Sequence, residues 1–193
     1  MRTIQNLTKP HPTMEESPAI APANTAFSET DCHWMRCALE AAREAGLRGE
    51  VPVGAVVVDG GGNELARSSN CVEACKDGTA HAELLALQMA SRALGEWRLA
   101  ECTLYVTKEP CPMCAGAMVN CRLGRLVFGA PDPRMGAAGG ALDITGFSGT
   151  LHRTPVTGGV LSDECAGVLR EFFRRRRAGA DKRSPLAEAP SQE

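Results

Sequence analysis

No apolar run in this chain of 193 residues approaches the roughly 18 needed to span a bilayer as a helix, so an integral membrane protein of that kind is excluded and a soluble domain is expected. The ingredients of a leader are missing too. The first 30 residues hold only Arg2 and Lys9 as basic groups, include Glu15, Glu16 and Glu29, and lack an apolar core, so neither a secretory nor an organellar signal is expected and the location should be cytoplasmic. No internal repeat recurs, and the length suits one domain of about 150 residues with tails. Net charge is small as well, only −2, which rules out a generally basic protein. It is unevenly spread: residues 170–183 carry seven cations against two carboxylates, leaving −7 for the rest of the chain. An acidic body with one basic end points to an anionic partner.

What is present fits an ordinary globular composition, 44% hydrophobic and 23% charged. Nine cysteines, an odd count without a leader, argue for reduced thiols rather than a disulfide framework. Cys32, Cys37, Cys71, Cys75, Cys102, Cys121 and Cys165 read as structural. Cys71 and Cys75 also form a Cys-x3-Cys pair, which stands as an alternative second metal or redox site.

Residues 1–28 include Pro10, Pro12, Pro18 and Pro22 among small and polar residues and read as a disordered tail; 29–177 form the domain, and 178–193 a second tail. Met35, Ala38, Leu39 and Ala42 trace one face of a helix ending near Gly46 to Gly49. Val51 to Val58 and Glu64 to Ser68, flanking Asp59-Gly60-Gly61-Gly62-Asn63, predict a hairpin. Leu84, Leu87 and Ala90 predict a helix over 81–94 stopped by Gly95. Strands follow at 102–107 and 126–130 around a short helix at 112–120, then a Gly- and Pro-rich loop at 131–150. A final helix is expected with Ser162 as its N-cap. This order describes an α/β fold, a mixed sheet covered by helices.

The chemistry is concentrated in His81-Ala82-Glu83 and, about 30 residues on, Pro110-Cys111-Pro112-Met113-Cys114. The prolines keep Cys111 out of the helical region and put Pro112 at the first helical position, so Cys111 caps a helix and Cys114 takes its third position. Unpaired N–H groups and the helix dipole there favour thiolates, the form that binds zinc. His81, in the first turn of its own helix, makes a third ligand. Three protein ligands leave a tetrahedral position open for water, the mark of a catalytic zinc rather than a structural one. Among candidates for a fourth ligand, Cys102 and Cys121 fall away from the metal end and His152 remains a loose alternative. Glu83, two residues from His81, turns away from the ligand direction and suits a proton shuttle.

These residues resemble the cytidine and deoxycytidylate deaminase superfamily, whose signature is His-x-Glu followed by Pro-Cys-x-x-Cys. Val51-Pro52-Val53-Gly54-Ala55, Asn70, Thr79 to Glu83, Tyr105-Val106-Thr107, Glu109 to Ala117, Phe128-Gly129-Ala130, Gly136 to Gly139 and Phe172-Phe173 are similar in particular to the bacterial tRNA wobble adenosine deaminases, over roughly residues 30–177. The resemblance implies a three-layer α/β/α fold with about five strands, and hydrolysis of a wobble adenosine in an arginine tRNA anticodon to inosine. It implies a homodimer with one Zn2+ per subunit acting on the tRNA anticodon stem-loop. It places His81, Cys111 and Cys114 as ligands, Glu83 as the shuttle, and Asn70 and Asp132 beside the substrate nucleotide. Phe172 and Phe173 match the final-helix aromatic pair, and Arg174 and Arg175 begin the run of cations that would meet RNA. Lys108 departs from the family pattern and is expected to face solvent. The alternatives are a deaminase of free bases or nucleosides such as guanine or cytidine, which would not need the Phe172 to Arg177 stretch, and a non-catalytic zinc subunit, which would not need Glu83.

Overall fold

The computed structural model describes residues 27–179. The tails expected at 1–28 and 178–193 lie outside the described residues, apart from Phe27, Ser28, Ala178 and Gly179. Helix α1 (Glu29–Leu47) is capped by Ser28, whose Oγ accepts from the Asp31 N–H at 3.0 Å. Met35, Ala38, Leu39 and Ala42 all face inward and are fully buried, which stabilises by about 1.5–3 kcal/mol for each large side chain.

Strands β1 (Gly54–Val58) and β2 (Glu64–Ser69) form the antiparallel hairpin. Its turn is tied by Asp59 Oδ1, which accepts from the N–H groups of Gly61 and Asn63 at 2.9 and 2.8 Å. After the one-turn α2 (Val72–Cys75) and α3 (Ala82–Leu94) come β3 (Thr103–Lys108), α4 (Pro112–Asn120), β4 (Arg125–Ala130), β5 (Val156–Gly158) and α5 (Ser162–Arg177). The five strands lie in the order β2-β1-β3-β4-β5, with β3, β4 and β5 parallel.

Alternation along the strands builds two cores. Ala55, Val57, Leu104, Val106, Leu126 and Phe128 face α3 and α4. Val56, Val58, Tyr105 and Val127 face α1 and α5. The result is the three-layer α/β/α arrangement that the resemblance implied. Helix α1 lies so close on β1 that a Cβ at Gly54 would overlap the Ala38 carbonyl oxygen. Among the described residues no helix is long and apolar enough to cross a membrane.

Two local expectations need correcting. Helix α5 is capped not by Ser162 but by Leu161, held at φ 51°, while the Ser162 N–H donates to the Gly159 carbonyl at 3.2 Å. That bond closes the turn, so the Ser162 side chain is not used as a cap. His81 is the N-cap of α3, at φ −76° and ψ 148°, rather than part of its first turn.

Candidate active site

The carboxyl ends of β3 and β4 open the crevice where ligands of parallel sheets bind. The chain leaves β3 through Lys108, Glu109 and Pro110 into Cys111, which is extended at φ −73° and ψ 170° and caps α4. Pro112 then takes the first helical position and Cys114 the third. From the other side, the Cys71 N–H donates to the Ala80 carbonyl at 3.0 Å, folding the segment after Asn70 back against the start of α3. Buried Glu50 holds α2 in that segment by accepting from the Glu73 and Ala74 N–H groups at 3.1 and 2.8 Å.

His81 Nδ1 stands 3.7 Å from Cys111 Sγ and 3.5 Å from Cys114 Sγ, and the two sulfurs are 3.7 Å apart. Tetrahedral zinc with sulfur at about 2.3 Å and nitrogen at about 2.0–2.1 Å would set such atoms about 3.8 and 3.6 Å apart, so the donor set fits the ion. Among the described residues this is the one cluster of that kind. His152 does not join it: its Nε2 is engaged with the Leu123 carbonyl at 2.8 Å. Cys71 and Cys75 approach each other at 2.9 Å without a third metal-ligating side chain.

The thiols are unlike. A hydrogen bond with Cys114, the N–H groups of Cys114 and Met113, and His81 together outweigh burial and lower Cys111 to about 5. The hydrogen bond to Cys111, then burial and the neighbouring Glu83, push Cys114 up. A zinc ion held by His81, Cys111 and Cys114 would need Cys114 as its thiolate, and so would displace the thiol proton. Glu83 is 4% exposed, and burial raises its carboxyl against the opposing pull of its own N–H and of His81.

Asn70 is buried, its N–H donating to the Val53 carbonyl at 3.0 Å. Asp132 reaches the site through Glu109. That buried carboxylate accepts from the N–H groups of Asp132, Ala138 and Gly140 at 2.8, 3.1 and 2.8 Å. The Ala137 N–H adds a bond to the Pro110 carbonyl at 2.8 Å, so the loop after β4 is stapled to the segment that presents Cys111. Lys108 does not simply face solvent: it is two-thirds covered and Nζ donates to Asp132 Oδ2. Sequence reasoning missed this pair and the staple made by Glu109.

Phe172, Phe173, Arg174 and Arg175 are not brought to the cluster. Their helix packs on β3, β4 and α1, opposite α3 and α4. Phe172 is buried with its ring beside Gly46, and exposed Phe173 meets it edge-on at 5.3 Å. Arg174 is paired with Glu171 at 2.7 Å, and Arg176 lies over the Phe172 ring. Arg175 lines a cleft of about 620 Å³ between α1 and α5 with Arg43, Pro52 and Glu164.

Residues 28–130 match the family described as cytidine and deoxycytidylate deaminase zinc-binding region. The chain belongs to this family, in its tRNA-specific adenosine deaminase branch. A relative from Bacillus subtilis, a tRNA-specific adenosine deaminase, is 46% identical over 75% of this chain and 89% of its own length. One of the same name from Haemophilus influenzae is 45% identical over 78% of this chain and 87% of its own length. A solved structure from studies of A-to-I editing by tRNA:A34 deaminases at the wobble position is 44% identical with a TM-score of 0.68. It covers 71% of this chain and 99% of that one.

Proposed function

We propose that this protein hydrolyses the wobble adenosine of a tRNA anticodon to inosine, an arginine tRNA being the substrate, as a cytoplasmic homodimer with one zinc per subunit. The observation that carries this reading is the cluster of His81, Cys111 and Cys114 with buried Glu83 beside it. Zinc bound there supplies a Lewis acid that lowers the pKa of water towards neutrality.

The chain's own residues do the rest. Glu83 takes a proton from water as the water oxygen bonds to C6 of adenine, and passes that proton to the ring nitrogen. It then takes the second proton from the added hydroxyl and gives it to the amine as the C6–N bond breaks, so that water and adenosine become inosine and ammonia. Burial suits it to that traffic, because it raises the carboxyl above its ordinary value and makes it a better proton acceptor. Asn70 orients the nucleotide, and Asp132 lies beside it. Phe173 and the arginines that follow it hold more distant phosphates and bases. Removing residues 174–193 is expected to weaken RNA binding and flatten its salt dependence, with zinc content unchanged; filter binding across a salt series checks this.

The deciding experiment incubates the protein with a tRNA anticodon stem-loop carrying adenosine at the wobble position, and separately with guanine and cytidine. Inosine in the RNA is expected. Ammonia from the small molecules, with the RNA untouched, overturns the proposal in favour of a free-base deaminase. Sedimentation gives the subunit count.

A further inference from the structure

Lys108 ends β3, three residues before Cys111, and its partner Asp132 begins the loop after β4. Parallel pairing sets Lys108 opposite Ala130, so both groups stand at the sheet end that carries the metal cluster. The Asp132 carboxylate is already filled: Oδ2 accepts from Lys108, and Oδ1 accepts from the N–H groups of Arg134 and Met135 at 3.0 and 3.1 Å. An ammonium has three donors, and one is spent on Asp132. The side chain is 32% exposed, and its other donors have no protein partner among the described residues. Arg134, two residues past Asp132, is exposed and has no carboxylate within ion-pair distance among the described residues. The lip of this site thus carries two cations, Lys108 and Arg134, which offset Asp132 and the buried Glu109 on a body that is otherwise acidic.

We propose that Lys108, held in place by Asp132, binds a backbone phosphate next to the target nucleotide, and so makes the site prefer a polynucleotide over a free base or nucleoside. This rests on the reading of the protein as an RNA deaminase. Without Lys108, the carboxylate at the lip would oppose the phosphate; with it, the charge is cancelled and donors remain for the substrate. Asp132 acts as a tether that keeps a flexible side chain at one position, lowering the entropy lost when RNA arrives.

The test compares wild type, Lys108→Met and Lys108→Arg on the wobble-adenosine stem-loop across a salt series, with zinc measured in each. Losing one single-strand phosphate contact should flatten the slope of log affinity against log salt by about 0.7 and raise KM about fivefold at moderate salt. The kcat at saturating RNA and the zinc content should hold, and Lys108→Arg should keep the wild-type slope. Wild type that deaminates the stem-loop beside a Lys108→Met variant with the same KM and slope overturns the inference alone. So does a variant that loses kcat or zinc with the slope intact, since that marks a structural ion pair. Wild type that leaves the stem-loop unmodified overturns the functional reading beneath it.

Discussion

Glu83 and Cys114 stand at the same centre, yet their losses should look different. Glu83→Gln keeps the size and hydrogen-bonding ability of a group that is no zinc donor in the proposed scheme, so zinc and fold are expected to remain while the rate falls at least about 10²-fold. Parallel assays of metal content and inosine formation check this, and a zinc-free variant would show the roles to be misassigned. Cys114→Ala removes one corner of the trio whose atoms lie 3.5–3.7 Å apart. It is expected to release the metal and lower the melting temperature together, because binding and folding are coupled here. Full zinc occupancy in that variant would refute the ligand set.

At the scale of elements, the loop after β4 depends on Glu109. Its carboxylate serves three N–H donors on Asp132, Ala138 and Gly140, and Gly136 and Gly140 are packed so closely on it that an added Cβ would collide. Glu109→Gln turns an NH2 towards donors and is expected to cost roughly 1–3 kcal/mol. Hydrogen exchange should then rise in residues 132–140 before it rises in β3.

Local patterning made much of this architecture readable. The apolar stripe of α1, the turn at Asp59, the prolines around Cys111 and Gly95 after α3 each act over a few residues and carry their own signal. The staple does not: Glu109 finds its partners 23 to 31 residues later, and those partners are backbone groups that leave no mark on residue type. For the same reason the one-turn α2, held by Glu50, was not visible. Strand β5 is three residues long and exists through its pairing with β4 rather than any period of its own. Lys108 looked like a solvated departure because Asp132 lies across a strand crossover.

For the whole molecule, the α1 layer is fastened to the sheet by a buried polar knot. Arg125 donates to both Asp31 oxygens at 2.8 and 2.9 Å, and the Tyr105 hydroxyl donates to the same carboxylate at 3.1 Å. Burial opposes ionisation of Asp31, but Arg125, Ser28 and Tyr105 outweigh it and hold the carboxyl below its usual value. A depressed native pKa means that the contribution is complete above the unfolded value of about 3.9 and is lost as pH falls through the native one. Asp31→Asn is expected to cost about 2 kcal/mol near neutrality and to lose most of that deficit in acid. Urea titrations of both proteins at neutral and acid pH measure the difference, and a gap that does not close on acidification would separate the knot from ionisation.

Tyr105 is also the single tyrosine of the chain. Burial, then the charge and hydrogen bond of Asp31, push its phenol up to about 12, against about 10 for a solvated one. Between those two values the folded chain holds a phenol and the unfolded chain a phenolate. The ultraviolet absorbance of the phenolate therefore acts as a built-in optical tally of unfolded molecules in alkaline solution.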